Sequence, residues 1–465
     1  MTVKRKHRFP WKALLGAILL IALCAGALRV WQTVADQVGW QAPVPGGDET
    51  GAQDDHGQVS GDAAEPGDET GEGSDAGEEP AEPVDPVAAH ARELLEGMTL
   101  EEKVGQLLIA GFYETQAGEE ARSYIQDCHV GGLILYGRNV ESAQQLTDLT
   151  NGLKALAGDG IPLFLSTDQE GGMVERMPPE IRKLPNAYRF GQIADPEVRM
   201  DACFTLGQTL AAQCTAFGLN MDFAPVMDIW SNPNNTVIGE RAFGSDAATV
   251  TGAANETALG MLAGGVIPVA KHFPGHGDTE TDSHLGLPVV DKTREELLDF
   301  ELRPFRQAID TTCVFGAYGG DTSIPAIMVG HILLTQVDPD KPATLSSEVV
   351  TGLLREELGF DGVVVTDDLT MGAITQNYGL GEAAVLAMEA GCDLLLVCHE
   401  AGSVDEVYAA LLDAVDAGRI TVDRLDQSVR RILTLKQNYG LTNDPVDLPD
   451  LDALNAQVDV VNGLV

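Results

Sequence analysis

Short apolar segments recur along the chain from residue 104 to residue 397, and segments with helical spacing separate them. Buried parallel strands are typically such short apolar runs, bounded by Gly, Pro and polar residues. Strict alternation of strands with helices indicates either a barrel or a doubly wound sheet. Eight units favour an α/β fold of the (β/α)8 TIM-barrel type. The eight predicted strands lie in residues 104–112, 131–136, 162–166, 221–226, 266–270, 326–329, 362–365 and 392–397.

Helix-start signals accompany this alternation. Thr99 and Glu102 have the spacing of a capping box, in which a hydroxyl and a carboxylate three residues apart satisfy each other's backbone N–H groups. Helical patterns over residues 293–309 and 403–417 also begin with a residue suited to an N-cap and have Glu three residues later. The two predicted N-caps are Thr293 and Ser403.

Charged or polar residues cluster directly after the predicted strands. In a barrel of this type the loops at the carboxyl ends of the strands form the active site. We therefore expect a site built from several such loops at one face of the barrel. The residues concerned are Asn139, Asp168-Gln169-Glu170-Gly171-Gly172, Asp228, Lys271-His272, His331, Asp367-Asp368 and His399.

The N-terminal residues 1–31 have the pattern of an export signal or a membrane anchor. Five basic residues within the first twelve precede an uncharged apolar run at residues 13–28. A retained anchor, a signal cleaved after Ala25-Gly26-Ala27 and a lipidated Cys24 all remain open. All three place the body of the protein outside the cytoplasm, because the positive flank stays inside. We expect a secreted or membrane-anchored protein that contacts the membrane through this segment.

Residues 32–86 are predicted to be a disordered acidic linker, because the stretch is dominated by Gly, Asp, Glu, Pro and Ala and has little apolar surface to bury. A single folded domain is predicted over residues 87–465. The whole chain has a net charge of −42. Nucleic acids and anionic membranes bind concentrated Lys and Arg, so neither is expected as the main partner of the folded domain. We expect a monomer.

Seven cysteines are distributed through the chain without any C-x-x-C pair or zinc-finger spacing. Metal binding is therefore weakly supported, and we expect no metal and no cofactor. Most of the cysteines lie in apolar segments, where a thiol behaves as a small hydrophobic group. An exported domain can form a disulfide, but the spacing identifies no pair.

The stretch from Lys271 to His284 concentrates three His and three carboxylates in fourteen residues, immediately after a predicted strand. A purely structural loop seldom contains so many groups that are costly to bury. Asp282 and His284 lie two residues apart and are able to face the same side. An Asp that holds one imidazole nitrogen orients the ring and raises its basicity, so the pair has the outline of a general acid/base dyad.

This stretch resembles the signature KHFPGHGxTxxDSH of glycoside hydrolase family 3, in its β-N-acetylhexosaminidase branch. The resemblance extends over residues 90–440 and implies that His284 is the catalytic acid/base and that Asp282 orients it. A second motif, Thr366-Asp367-Asp368-Leu369-Thr370-Met371, implies that Asp367 is the nucleophile. Asp368 occupies a variable position of the motif and is not assigned to catalysis. From the residues alone, either Asp could instead be a helix N-cap.

The resemblance also implies which residues bind the sugar. Asp168 matches the family's hydroxyl-binding Asp, and Lys271 with His272 matches its Lys-His pair. Arg241, in Gly239-Glu240-Arg241, matches its binding Arg. Met173 replaces an Arg that often follows the Gly-Gly pair, although Arg176 is retained, which leaves the aglycone contacts open. His331 and His399 are explained at least as well as packed or loop residues.

The function implied by the resemblance is release of terminal β-linked N-acetylglucosamine with retention of the anomeric configuration, from peptidoglycan fragments or other glycosides. The resemblance also implies a single catalytic domain without the C-terminal α/β sandwich of many relatives. The alternatives are a β-glucosidase or β-xylosidase of the same family and a catalytically silent sugar-binding protein of the cell wall. A histidine acid/base also admits phosphate as the acceptor, because a neutral imidazole does not repel an anion as a carboxylate does.

Overall fold

Eight parallel strands form the centre of the fold. The computed structural model describes residues 86–280, 282–283, 286–311 and 323–465, which belong to one compact unit. The strands are β1 Leu108–Gly111, β2 Gly132–Leu135, β3 Phe164–Thr167, β4 Met221–Asp222, β5 Ile267–Phe273, β7 Ala326–Val329, β9 Val363–Thr366 and β10 Leu395–Val397. Their order in the sheet is β10-β1-β2-β3-β4-β5-β7-β9, and a parallel bridge between Val365 and Leu394 joins its two ends.

The predicted barrel and its eight strand segments are confirmed. Each barrel strand lies in or overlaps one of the predicted apolar segments, and every residue of the eight strands is buried. Strands of a parallel sheet are covered on both faces, which is why they consist of nearly continuous apolar residues. A separate pair of short parallel strands, β6 Val289–Val290 and β8 Leu333–Leu334, lies outside the barrel sheet.

Helices alternate with the strands, as the sequence predicts. The short helices Gly137–Asn139, Gly239–Arg241 and Ala343–Leu345 are of the 3₁₀ type, and Glu348–Glu357 is a π-helix. The α-helices are α1 Pro86–Gly97, α2 Leu100–Gln106, α3 Glu119–Gln126, α4 Ala143–Ala157, α5 Ala187–Gly191, α6 Pro196–Ala216, α7 Ala247–Ala263, α8 Arg294–Asp299, α9 Arg303–Asp310, α10 Gly372–Thr375, α11 Leu380–Ala390, α12 Ser403–Asp416, α13 Val422–Asn438 and α14 Leu451–Asn462.

Two predicted helix starts are confirmed and one is wrong. Thr99 forms a capping box with Glu102, and Thr293 caps α8 in the same way with Glu296. The N-cap of α12 is Gly402 in a left-handed conformation, whereas the hydroxyl of Ser403 donates to the carbonyl of His399 at 2.7 Å.

Other boundaries also differ from the prediction. Residues 104–106 belong to α2, so the first strand begins only at Leu108. The pattern over residues 293–309 is divided into α8 and α9, and Pro304 lies in the first turn of α9, because proline lacks a backbone N–H and fits the start of a helix better than its interior. Strand β5 continues to Phe273, so Lys271 and His272 are strand residues.

The thiols of Cys128, Cys203, Cys214, Cys392 and Cys398 are buried and free, so the described cysteines form no disulfide with one another. Cys24 and Cys313 lie outside the described residues, as do the predicted export segment and residues 32–85 of the predicted linker. Within the described ranges, no helix combines the length and the apolar character that crossing a membrane requires.

Candidate active site

A cavity of about 220 Å³ opens at the carboxyl ends of the barrel strands. This is the face where the sequence predicts the site, since parallel strands of a barrel all end there. The loops after six of the eight barrel strands contribute to it. Its polar lining residues are Tyr136, Asp168, Glu170, Arg176, Arg241, Lys271, His272, His276, Ser283, Asp367, Asp368 and His399.

Four charged side chains form one ionic cluster on the wall of this cavity. The Nζ of Lys271 lies 2.6 Å from Oδ1 of Asp168 and 2.6 Å from Oε1 of Glu170. Arg241 forms a bidentate ion pair with Glu170, with Nε 2.8 Å from Oε2 and Nη2 2.7 Å from Oε1. Two cations thus face two carboxylates, and the structure brings together three predicted binding residues, Asp168, Lys271 and Arg241.

The cluster holds Glu170 and Lys271 in the charged state. Burial alone would raise the pKa of Glu170, but the charges of Arg241 and Lys271 outweigh it and lower the pKa below its ordinary value. Burial would likewise lower the pKa of Lys271, and the charges of Asp168 and Glu170 reverse this and raise it. An ammonium ion held between carboxylates can donate to a sugar hydroxyl, and Asp168 can accept from one because its Oδ2 makes no hydrogen bond to a described residue.

His272 is oriented by a buried carboxylate. Asp228 Oδ2 lies 2.7 Å from Nδ1 of His272, and Asp228 Oδ1 accepts from the backbone N–H of His276 at 2.6 Å. Burial would raise the pKa of Asp228, but the charge and hydrogen bond of His272 lower it. Because Nδ1 is engaged, Nε2 remains for a ligand in the cavity that His272 lines. His272, the fourth predicted binding residue, is therefore also at the site.

Asp367 lies at the end of β9, half-buried on the cavity wall. Its Oδ1 accepts from the backbone N–H of Asp368 at 2.8 Å, and its own N–H donates to the carbonyl of Val329 at 2.9 Å. Burial would raise its pKa, but the charges of His331 and His272 outweigh burial and lower the pKa. Asp367 is therefore an ionised carboxylate facing the cavity.

Asp368 has a different environment from its neighbour. Oδ1 accepts from the backbone N–H of Thr370 and of Cys398, both at 3.0 Å, and Oδ2 accepts from the hydroxyl of Thr370 at 2.6 Å. The side chain thus ties the loop after β9 to the end of β10. These contacts are those of a structural residue, in keeping with its omission from the predicted catalytic set.

His331 and His399 also have packing partners. His331 is fully buried, with Nδ1 2.8 Å from the hydroxyl of Thr344 and Nε2 2.9 Å from the carbonyl of Asp368. His399 reaches the cavity and lies 3.2 Å through Nδ1 from Nη1 of Arg138. The interpretation of His331 as a packed residue agrees with its surroundings, while His399 belongs to the cavity rim.

The loop after β5 is anchored close to the predicted acid/base. His276 is buried, with Nδ1 2.7 Å from the hydroxyl of Thr279 and Nε2 3.3 Å from that of Ser283. Burial lowers the pKa of His276, and the neighbouring His272 adds to the effect, which favours the neutral ring. The carbonyl of Ser283 accepts from the N–H of Ala373 at 2.9 Å, which links this loop to α10 after β9.

The predicted dyad is only partly described. Asp282 is described as half-buried, with its carbonyl accepting from the N–H of Gly286 at 3.0 Å. His284 lies outside the described residues, and the contact between the two side chains stays a prediction.

The sequence analysis placed Glu170 after a strand but gave it no role, and it missed the pairing of Asp228 with His272 and the anchoring role of His276. A signal for Glu170 was present: Asp168 and Glu170 are two residues apart, and alternate residues of an extended chain face the same side. No comparable signal identifies Asp228 as the partner of His272, since the two lie 44 residues apart. Arg176 also lines the cavity, where its buried Nε makes no hydrogen bond to a described residue.

Among the described residues, the carboxylates that line or flank the cavity already face cationic or imidazole partners. In the part of the chain that the structure describes, no three His, Cys, Asp or Glu side chains are grouped so that they could hold one. Asp168 and Glu170 face Lys271 and Arg241, and Asp228 faces His272. The arrangement is suited to binding hydroxyl groups beside an ionised carboxylate, Asp367.

This chain is similar in sequence to a known protein family and to individual members of it. Residues 99–435 match the model of the glycosyl hydrolase family 3 N-terminal domain. A β-hexosaminidase of Nitrosomonas eutropha is 34% identical over 337 residues, which are 71% of this chain and 92% of that protein. A β-hexosaminidase of Alkalilimnicola ehrlichii is 36% identical over 308 residues, which are 66% of this chain and 84% of that protein.

This chain is also similar to solved structures of enzymes with related sequences. A glycoside hydrolase family 3 β-N-acetylglucosaminidase from Paenibacillus superimposes with a TM-score of 0.71 at 42% identity, covering 79% of this chain and 69% of that one. A β-N-acetylhexosaminidase from Beutenbergia cavernae superimposes with a TM-score of 0.65 at 34% identity, covering 73% of this chain and 99% of that one.

Proposed function

The chain belongs to glycosyl hydrolase family 3 and is a glycoside hydrolase of the β-hexosaminidase type, and from this premise we propose that it removes terminal β-linked N-acetylglucosamine with retention of configuration. Retention requires two inversions at the anomeric carbon, through a covalent glycosyl–enzyme intermediate. The observation that carries the proposal is the ionised carboxylate of Asp367 in a cavity that also contains the Asp168, Glu170, Lys271 and Arg241 cluster.

Asp367 is the proposed nucleophile. Its carboxylate attacks the anomeric carbon while the bond from that carbon to the leaving oxygen breaks. Attack needs an unprotonated oxygen, and the lowered pKa of Asp367 favours that form. Oδ1 is held by the backbone N–H of Asp368, which fixes the direction of the carboxylate.

His284, oriented by Asp282, is the proposed acid/base. It donates a proton to the leaving oxygen in the first step and takes one from the attacking water in the second. The support comes from the sequence motif and from the anchoring of its neighbour Ser283 to His276 and Ala373. These contacts hold the loop of the acid/base beside the helix that follows the nucleophile.

Binding of the sugar is assigned to the ionic cluster and to His272. Asp168 accepts from hydroxyl groups, and Lys271 and Arg241 donate to them while Glu170 keeps both cations in place. A cavity of about 220 Å³ suits one sugar residue, which favours removal of single terminal residues. The export pattern of residues 1–31 supports extracytoplasmic substrates such as peptidoglycan fragments, and a protein that is secreted or anchored to the membrane.

Kinetics of the full chain test this proposal. The chromogenic β-N-acetylglucosaminide is compared with the matching glucoside and xyloside, and NMR follows the anomer first released. We expect preference for the acetylated sugar and release of the β-anomer. Asp367→Asn lowers kcat by several orders of magnitude, and His284→Ala lowers it by about a hundred- to ten-thousandfold.

Three outcomes would count against the proposal. Release of the α-anomer excludes the covalent intermediate, and preference for glucoside or xyloside excludes the substrate. A folded protein that binds N-acetylglucosamine without turnover supports a sugar-binding protein instead. Asp291→Asn serves as the matched control, because Asp291 is an exposed carboxylate that is absent from the cavity lining.

A further inference from the structure

The C-terminal segment, residues 440–465, runs along the outside of the barrel from one end to the other. At the end opposite the cavity, Asn443 donates to the carbonyls of Gly158 and Gly160 at 3.0 and 3.3 Å and accepts from the N–H of Leu163 at 3.4 Å. Leu163 immediately precedes β3, so this contact lies at the amino end of the strand. The segment follows residue 435, where the family match ends.

The other end of the segment is α14, which contacts the β3 loop, residues 168–186. Asn455 accepts from the N–H of Arg182 at 2.7 Å and donates to the carbonyl of Glu180 at 2.9 Å. Asp459 forms an ion pair with Arg182, and Asn462 donates to the carbonyl of Lys183 at 3.2 Å. Since this loop follows β3, α14 contacts it on the cavity side of the barrel.

Leu184, which directly follows the residues that α14 contacts, is hydrogen-bonded to the part of the β3 loop that lines the cavity. The N–H of Leu184 donates to Oε1 of Glu175 at 2.7 Å, and its carbonyl accepts from the N–H of Gly172 at 3.1 Å. Gly172 has a φ of +63°, and a Cβ there would lie 1.8 Å from Oδ1 of Asn186, so only glycine allows this approach. Val174 and Arg176, which flank Glu175, line the cavity.

A second contact connects the same loop to the ionic cluster. Asn186, at the end of the β3 loop, donates through Nδ2 to Oε2 of Glu240. Glu240 immediately precedes Arg241, whose guanidinium holds Glu170. Displacement of the loop therefore affects two sides of the cavity, at Arg176 and at Arg241.

We propose that the C-terminal segment determines substrate affinity, with Asn455 as a positioning residue that acts through the β3 loop on Val174, Arg176 and Arg241. The inference rests on the proposed function of the same cavity. Asn455 touches the backbone of residues 180 and 182 and makes no contact with the cavity. Its loss misplaces groups that bind the sugar equally in the ground state and the transition state, which raises KM and leaves kcat nearly unchanged.

The test compares Asn455→Ala with Asn443→Ala in the full chain. Both asparagines belong to the C-terminal segment and both hydrogen-bond to backbone groups, but at opposite ends of the barrel. We expect Asn455→Ala to raise KM for the chromogenic β-N-acetylglucosaminide about five- to twentyfold, with kcat changed less than about twofold. Asn443→Ala is expected to lower Tm without changing KM.

A second variant, Asp459→Ala, tests the same contact in case Asn455→Ala fails to fold. Arg182 and Asp459 are more than half exposed, so Asp459→Ala costs little stability. We expect it to raise KM in the same direction by about two- to threefold. Unchanged KM in both Asn455→Ala and Asp459→Ala, or an equal rise in Asn443→Ala, overturns the inference.

Calorimetric titration of N-acetylglucosamine separates failure of the inference from failure of the proposed function. A wild-type chain that neither turns over the glycoside nor binds the sugar overturns both. Binding without turnover refutes the proposed reaction alone, and the Kd of Asn455→Ala then tests the positioning role in place of KM.

Discussion

Glu170 and Arg241 are joined by two parallel hydrogen bonds, from Nε to Oε2 at 2.8 Å and from Nη2 to Oε1 at 2.7 Å. The Glu170 side chain is only 5% exposed and also accepts from Lys271. A carboxylate buried between two cations stabilises the fold only while all partners are present, because each charge left alone keeps its desolvation cost.

Glu170→Gln should therefore impair both stability and binding. The variant leaves Arg241 and Lys271 with Asp168 as their only nearby carboxylate in the cluster, and we expect a loss of about 3 kcal/mol in the free energy of unfolding. KM should rise about tenfold or more as both cations shift. Denaturant unfolding and steady-state kinetics measure the two effects.

The matched control is Glu382→Gln. Glu382 makes the same two-point contact with Arg419, at 2.7 and 3.0 Å, but both side chains are 40% exposed or more. Its loss should cost less than about 1 kcal/mol and leave KM unchanged. Equal losses in the two variants would contradict the role given to burial.

Asp228→Asn should disturb His272 without removing it. The amide oxygen can still accept from the N–H of His276, but an amide N–H then faces Nδ1 of His272 and reverses the preferred tautomer. We expect kcat/KM to fall about ten- to a hundredfold. His272→Asn should give a loss of similar size, and combining the two substitutions should add little.

The same variant has a defined pH dependence of stability. The pKa of Asp228 is lowered in the folded state, so its contribution is complete above the unfolded pKa of about 3.9 and is lost as pH falls through the folded pKa. The difference in unfolding free energy between wild type and Asp228→Asn should be constant above about pH 5 and shrink below pH 4. A difference that grows on acidification would refute this assignment.

Asp367 and Asp368 should respond differently to substitution. Asp368→Ala removes the acceptor of the buried N–H of Cys398 and of Thr370, so we expect a loss of about 2 kcal/mol in stability. Asp367→Asn should abolish turnover and leave Tm within a few degrees. An Asp368→Ala protein that is fully stable but inactive would contradict the structural role of Asp368 and the choice of Asp367 as the nucleophile.

Lys436 gives a prediction for alkaline pH. Its Nζ is buried, donates to Oε1 of Gln106 and the carbonyl of Gly131 at 2.8 Å each, and lies 4.7 Å from the Phe164 ring centroid. Burial lowers the pKa of Lys436 from 10.5 to about 7. Between these values the unfolded chain binds more protons than the folded one, so stability rises with pH.

Lys436→Met removes this titration. The unfolding free energy of wild type minus that of the variant should rise from pH 7 to pH 10.5 by up to about 5 kcal/mol, since a tenfold change in proton affinity is worth about 1.4 kcal/mol. Urea unfolding at a series of pH values measures it. A difference that is flat over this range would mean that the hydrogen bonds and the aromatic face keep Lys436 charged.

The predictable part of the fold was its alternation of strands and helices. Each barrel strand is buried on both faces, and burial on both faces produces an apolar run that can be recognised locally. Capping boxes at Thr99 and Thr293 are equally local, because donor and acceptor lie three residues apart. The α12 N-cap was mispredicted because Ser403 bonds to His399 instead.

The residues read in order were enough to predict the barrel, the face of the active site and the motif residues Asp168, Arg241, Lys271, His272 and Asp367, all of which line one cavity. The partners of these groups became visible only in the folded chain: Glu170 for Arg241, Asp228 for His272, and α14 for the β3 loop. These partners are 71, 44 and about 275 residues apart in the chain. Contacts over such distances depend on how whole βα units close into the barrel, which no local pattern of residues encodes.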